Sequence, residues 1–151
     1  MFNAVLKIPM QFFILLTGVM VFVFFEFNYA PVNYNPQVIN YLEKVQNAEY
    51  LQQKREFSIT RENKIIKQNQ YIESIDGANS KKLESEIIEL HNKEKKIRQN
   101  VKDISNEVGP SSIESNDLDY VFIFFILNYL PHGIIGLLLA VILSAAISST
   151  A

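Results

Sequence analysis

The stretch Ser144-Ala145-Ala146-Ile147-Ser148-Ser149-Thr150 puts four hydroxyls within the last eight residues of a 151-residue chain. It lies inside Tyr120–Ala151, 32 residues without a formally charged side chain. On a helix, Ser148 and Ser149 sit on adjacent faces. Their hydroxyl oxygens, with a carbonyl one turn back, could offer several neutral oxygen ligands to a small hard cation. Such ligands suit an ion that must bind and then leave. The same hydroxyls can instead bond carbonyls of their own helix, and the pattern alone leaves both readings open.

Other chemistry is sparse. There is no cysteine, hence no disulfide framework or thiolate metal site. His91 and His132 lie in different segments, which argues against a histidine metal site. No nucleophile–base constellation is visible, so an enzyme is not expected. Charge is confined to the middle: Gln37–Asp119 holds 13 of the 14 Lys/Arg and 15 of the 16 Asp/Glu. With no basic surplus, nucleic acid is not an expected partner.

Two apolar ends must therefore position the hydroxyls. Pro131 and Gly133 divide the second end. Residues 118–130, rich in aromatics, predict a short helix at the membrane interface. Residues 131–151 predict a transmembrane helix still running at Ala151. Within it Gly136, Ala140, Ser144 and Ser148 recur every four residues, a stripe of small side chains that lets another helix approach. His132 reads as an interfacial polar residue.

The first apolar end predicts a transmembrane helix over 4–27. Its uncharged run Ile8–Phe25 would span about 27 Å, near the hydrocarbon thickness. Pro9 suits a first turn there. No small-x-small cleavage site follows, which favours an uncleaved span over a signal peptide. Thr17 is expected to bond a carbonyl one turn earlier and Gln11 to sit near the interface.

Residues 28–36, with Pro31 and Pro36, predict an extended exit loop. Beyond it, 37–108 reads as an antiparallel helical hairpin. Leu83, Ile87, Leu90, Glu94, Ile97, Val101, Ile104 and Val108 form a heptad seam, apolar except at Glu94. The stretch from Gln37 to about Ile75 is less regular. Gly77 is expected near the tip, Ser80 as a cap of the second helix, and His91 on the surface. Residues 109–117 read as a linker.

Two segments carry a resemblance. Asn3-Ala4-Val5-Leu6-Lys7-Ile8-Pro9-Met10-Gln11-Phe12 with Gly18-Val19-Met20-Val21-Phe22-Val23-Phe24 resembles one membrane helix of the sodium/solute symporter family. Tyr129-Leu130-Pro131-His132-Gly133-Ile134-Ile135-Gly136-Leu137-Leu138 with Ala145-Ala146-Ile147-Ser148-Ser149 resembles the next. The resemblance covers roughly half the chain and implies an all-α membrane protein. Its two spans would belong to a five-helix inverted-repeat transporter fold, with the coiled-coil-like hairpin as an insertion. It implies a sodium ion held by the Ala145 carbonyl and the Ser148 and Ser149 hydroxyls. Family members have many more spans, so the chain reads as a fragment. Its expected partners are the remaining transmembrane helices, lipid and a small solute such as a sugar, amino acid or organic acid.

Lys7 and the resemblance place both termini in the cytoplasm of a bacterial inner membrane, with the hairpin outside. The competing expectation is a two-span scaffold or signalling protein whose extracytoplasmic hairpin binds a partner. That reading explains the layout but not the small-residue stripe or the serine pair.

Overall fold

The computed structural model describes residues 2–74, 79–110 and 113–150, with side chains described from residue 7 to residue 148 within those ranges. Among these residues the chain is all-helical. Six helices run in order: α1 (Phe2–Phe27), α2 (Pro36–Lys44), α3 (Ala48–Glu73), α4 (Ser80–Val108), α5 (Leu118–Tyr129) and α6 (His132–Thr150). They fall into two compact units, Met1–Asp117 and Leu118–Ala151. The position expected for the hairpin tip, Gly77, lies outside the described residues.

In the first unit, α1 starts earlier than a helix beginning near Ile8 would. Pro9 is therefore inside the helix rather than in its first turn. A proline there has no N–H to give the carbonyl four residues back, so that of Val5 loses its usual donor. Lys7–Phe27 is, among the described residues, the helix long and apolar enough to cross a membrane. Thr17 Oγ1 donates to the Phe13 carbonyl at 2.8 Å, one turn back.

The first arm of the hairpin is not continuous. Asn35 caps α2 by accepting from the Gln37 N–H at 2.9 Å, with Pro36 at the first helical position. The helix ends at Lys44, and Gln46 turns the chain with φ 50°. Asn47 then caps α3, its Oδ1 accepting from the Tyr50 N–H at 2.8 Å. Local capping overrides the extension of α2 into α3. At 26 residues, α3 reaches about 40 Å. Ser80 is the first residue of α4 rather than its cap, and Asn79 before it makes no side-chain capping bond.

Helices α3 and α4 run antiparallel. Gln53 meets Asn100, Glu56 meets Lys93, and Lys67 meets Glu86, so partners descend along α4 as α3 ascends. The buried side of α4 carries Glu94, Ile97, Val101 and Ile104, four members of the heptad seam. Val108, at its end, is exposed. The core is gathered at the base of the hairpin: Val32, Val38, Leu42, Tyr50, Phe57, Ile97, Val101 and Ile104.

Residues 28–36 do not form an extended loop into solvent. Ala30, Val32, Asn33, Tyr34 and Asn35 are buried. Their polar groups are met by residues of the segment read as a linker, 109–117. Asn35 Nδ2 donates to the Glu114 carbonyl at 2.8 Å, and Asn33 Nδ2 to that of Ser115 at 3.4 Å. The Tyr34 N–H donates to Asp117 Oδ2 at 3.0 Å. Two irregular segments thus satisfy each other's backbone, which lets both be buried. At the end of α4 the backbone closes on itself: the Gly109 N–H donates to Ser105 O at 2.9 Å. A Cβ at Gly109 would collide with that carbonyl oxygen.

In the second unit, α5 and α6 part at Leu130-Pro131. The Pro131 carbonyl accepts from the Ile134 and Ile135 N–H groups at 2.9 and 3.2 Å, which starts α6. No side chain of α5 is buried. The described part of α6, His132–Ser148, is apolar but shorter than the Lys7–Phe27 segment.

Candidate functional site

Ala145, Ser148 and Ser149 fall within one turn near the end of α6. Ala145 and Ser148 are exposed, as are Gly136, Ala140 and Ser144 of the small-residue stripe. A Cβ added at Gly136 would meet open space. The side chain of Ser149 lies outside the described residues, so the serine pair is seen only as helical backbone there. In a helix the Ala145 carbonyl accepts the N–H four residues on, but a carbonyl oxygen keeps a second lone pair. Among the described residues no group of three or more His, Cys, Asp or Glu side chains is placed to hold a metal ion. His132 is exposed at the start of α6.

The first unit contains a polar site that sequence reasoning missed. Lys64, on α3, is buried to 1% exposure, and its Nζ lies 2.6 Å from Glu94 Oε2 and 3.0 Å from Glu26 Oε2. Arg61, one turn earlier on α3, lies 3.3 Å from Glu94 Oε1 and donates to the Asn28 carbonyl at 2.9 Å. Gln68 Nε2 donates to Glu26 at 3.2 Å. The cluster joins the last turn of α1, the middle of α3 and the middle of α4.

The spacing explains its assembly. Arg61, Lys64 and Gln68 recur at three and four residues, one face of a helix. Glu94 occupies the seam of α4 that would otherwise be apolar. Two cations and two carboxylates balance, which is what allows them to be buried. The one signal in the sequence was Glu94 itself. A carboxylate in a hydrophobic seam demands a buried cation, and Lys64 and Arg61 supply it.

A second junction lies at the hairpin base. Asp117 is buried and lies 3.1 Å from Lys102 Nζ and 3.6 Å from Arg98 Nη1. The Arg98 guanidinium stacks 5.0 Å from the Tyr34 ring centre and 4.9 Å from that of Phe57. It also donates to the Pro31 and Val32 carbonyls at 2.7 and 3.2 Å. Burial raises the Tyr34 hydroxyl above its usual range, against the lowering influence of Arg98 and Arg61. These groups are all engaged with one another, so both clusters position the chain rather than offer a reactive group.

No protein-family model matches the chain, and neither the curated proteins nor the solved structures give a match.

Proposed function

We propose that this chain contributes two consecutive spans to a sodium-coupled transporter of a small solute. The observation that carries the reading is the last turn of α6. There, residues resembling the symporter sodium motif lie on a helix whose small-residue side is uncovered. In this reading α1 and α6 cross the bilayer and the helices that complete the bundle pack along Gly136, Ala140 and Ser144. Sodium binds to the Ala145 carbonyl and the Ser148 and Ser149 hydroxyls, with its remaining ligands from another helix of the bundle. Its binding favours the outward-open state, and the sodium gradient drives release of ion and solute inside.

The test is solute uptake into vesicles carrying the full-length protein. Uptake should require sodium, and Ser149→Ala should raise the sodium concentration for half-maximal rate. Sodium-independent uptake, or sodium dependence unchanged in both Ser148→Ala and Ser149→Ala, overturns it.

One observation favours a second reading, a membrane scaffold whose hairpin binds a partner. The ionic cluster ties the hairpin to the end of α1, a fixed display suited to an interaction module. Sodium-stimulated uptake by the full-length protein separates the two, since a scaffold gives none.

A further inference from the structure

Along α3, the charged side chains from Lys54 to Lys67 are paired within the chain, with two exceptions. Lys54 meets Glu43, Glu56 meets Lys93, Arg61 and Lys64 meet Glu94, and Lys67 meets Glu86. Arg55 and Glu62 are exposed, and among the described residues neither forms an ion pair. They lie about two turns apart on one side of the helix, roughly 10 Å along its axis, too far to pair with each other. The same side carries Ile59 and Ile66, 63% and 47% exposed. Ser58 is exposed beside Ile59, and Leu51 begins the stripe, half-buried against the core. A single exposed apolar residue is ordinary. Here two isoleucines alternate in one line with the two unpaired charges.

The order along this stripe is self-complementary. From the midpoint between Ser58 and Ile59, Arg55 and Glu62 are equally distant, and so are Leu51 and Ile66. A second α3 turned about a two-fold axis through that midpoint runs antiparallel to the first, an isologous contact. It sets Arg55 against Glu62 twice and Ile66 against Leu51 twice. Lys54 then falls opposite Asn63 and Ala48 opposite Asn69, so no like charges face each other. A parallel copy would instead set Arg55 against Arg55 and Glu62 against Glu62. Beside the stripe is a depression of about 520 Å³ lined by Leu51, Lys54, Arg55, Ser58 and Ile59. In the antiparallel register it receives Ile66 of the second copy.

We propose that this face of α3 docks a second copy of the chain as an antiparallel two-fold pair. Two Arg55–Glu62 ion pairs flank a seam of Leu51, Ile59 and Ile66. Copies inserted in a bilayer in the same sense share an axis along its normal, so the pairing lays α3 parallel to the membrane surface. The proposal rests on the first unit alone and is independent of transport.

The chain has no cysteine, so oxidative cross-linking of the full chain in the membranes of expressing cells reads the pairing directly. Ser58→Cys, at the axis, should cross-link to itself. Ile66→Cys should not, since its two copies lie about 22 Å apart along the seam, but it should cross-link to co-expressed Leu51→Cys. In the Ser58→Cys chain, Arg55→Glu should slow cross-linking about tenfold, the worth of two surface ion pairs. Adding Glu62→Arg should restore the rate. Arg55, Ser58 and Glu62 are all exposed, so these changes leave the core intact. Absence of cross-linked Ser58→Cys means that another element or lipid covers this face, and overturns the proposal. So does Ile66→Cys cross-linking to itself as fast as to Leu51→Cys, the mark of a parallel pair, or a rate that Glu62→Arg does not restore.

Discussion

Lys64 and Glu94 meet at 2.6 Å in the middle of the hairpin, with 1% and 6% of their side chains exposed. Glu26, from the last turn of α1, reaches the same ammonium at 3.0 Å. One lysine therefore holds two carboxylates from two other helices, and the hairpin is registered on the end of α1 through it. Breaking one partner of a buried pair strands the others, at a cost of about 3–5 kcal/mol. Lys64→Met should lose stability of that order in denaturant unfolding of the full chain in nanodiscs. Combining it with Glu94→Leu should cost clearly less than the sum of the single changes, because the stranded carboxylate is gone. Strict additivity would contradict the pairing.

Asp117 plays the corresponding part at the base. It accepts from the Tyr34 N–H and faces Arg98 and Lys102. Asp117→Ala should destabilise the first unit by about 3 kcal/mol, since a buried N–H loses its acceptor and Lys102 and Arg98 lose their counter-charge. Limited proteolysis offers an independent check. Cleavage within 109–117 should accelerate in the variant, and an unchanged rate would show that Asp117 does not hold this segment.

Tyr50 gives the stability a pH dependence. Its pKa is raised from 10.0 to about 12, mainly by burial. The unfolded chain therefore releases this proton before the folded one does as pH rises. The stability contributed is whole below pH 10 and is lost progressively up to about pH 12, by about 3 kcal/mol. Unfolding of wild type and Tyr50→Phe across this window should diverge, with the wild type falling more steeply. Parallel profiles would place Tyr50 in contact with solvent.

The two asparagine caps should differ in cost. Asn47→Ala removes a cap at the start of α3 and should lose about 1 kcal/mol. Asn35→Ala removes the cap of α2 and also the bond to Glu114, within a fully buried side chain. It should lose about 2 kcal/mol or more by thermal unfolding. Equal losses would mean that the contact between 28–36 and 109–117 contributes nothing.

For transport, Ser148→Ala and Ser149→Ala in the full-length protein should each raise the half-maximal sodium concentration about tenfold, as loss of one oxygen ligand to a charge implies. Sodium titration of initial uptake rates measures this. The maximal rate at saturating sodium should fall much less.

The helical pattern was legible where an uncharged apolar run or a heptad spacing was long and uninterrupted. Helices α5 and α6 form where the sequence carries two apolar runs divided at Pro131. Of the seam, Glu94, Ile97, Val101 and Ile104 lie on the buried side of α4, whereas Leu83, Ile87 and Leu90 are half-buried. Reading failed where short polar side chains decide local geometry. Asn35 starts α2, and Asn47 restarts the chain as α3 after the turn at Gln46, splitting the first arm of the hairpin in two. Pro31, Asn33 and Asn35 look like loop chemistry, and in sequence they do not differ from a solvated exit. Their burial depends on Glu114, Ser115 and Asp117, about eighty residues away.

Composition and order alone determined that this chain is helical, with two apolar ends around a charged middle and a hydroxyl-rich turn at Ser148-Ser149. Such features follow from composition and order because a helix satisfies its backbone hydrogen bonds within its own segment. Only the tertiary structure decided which charges are buried together. Glu26, Arg61 and Lys64 are unremarkable one by one, and Glu94, though it marks the seam, does not name its partners; each would be solvated on an isolated helix. Their pairing requires α1, α3 and α4 to be present at once, because a buried charge is stable only when its counter-charge arrives from another element.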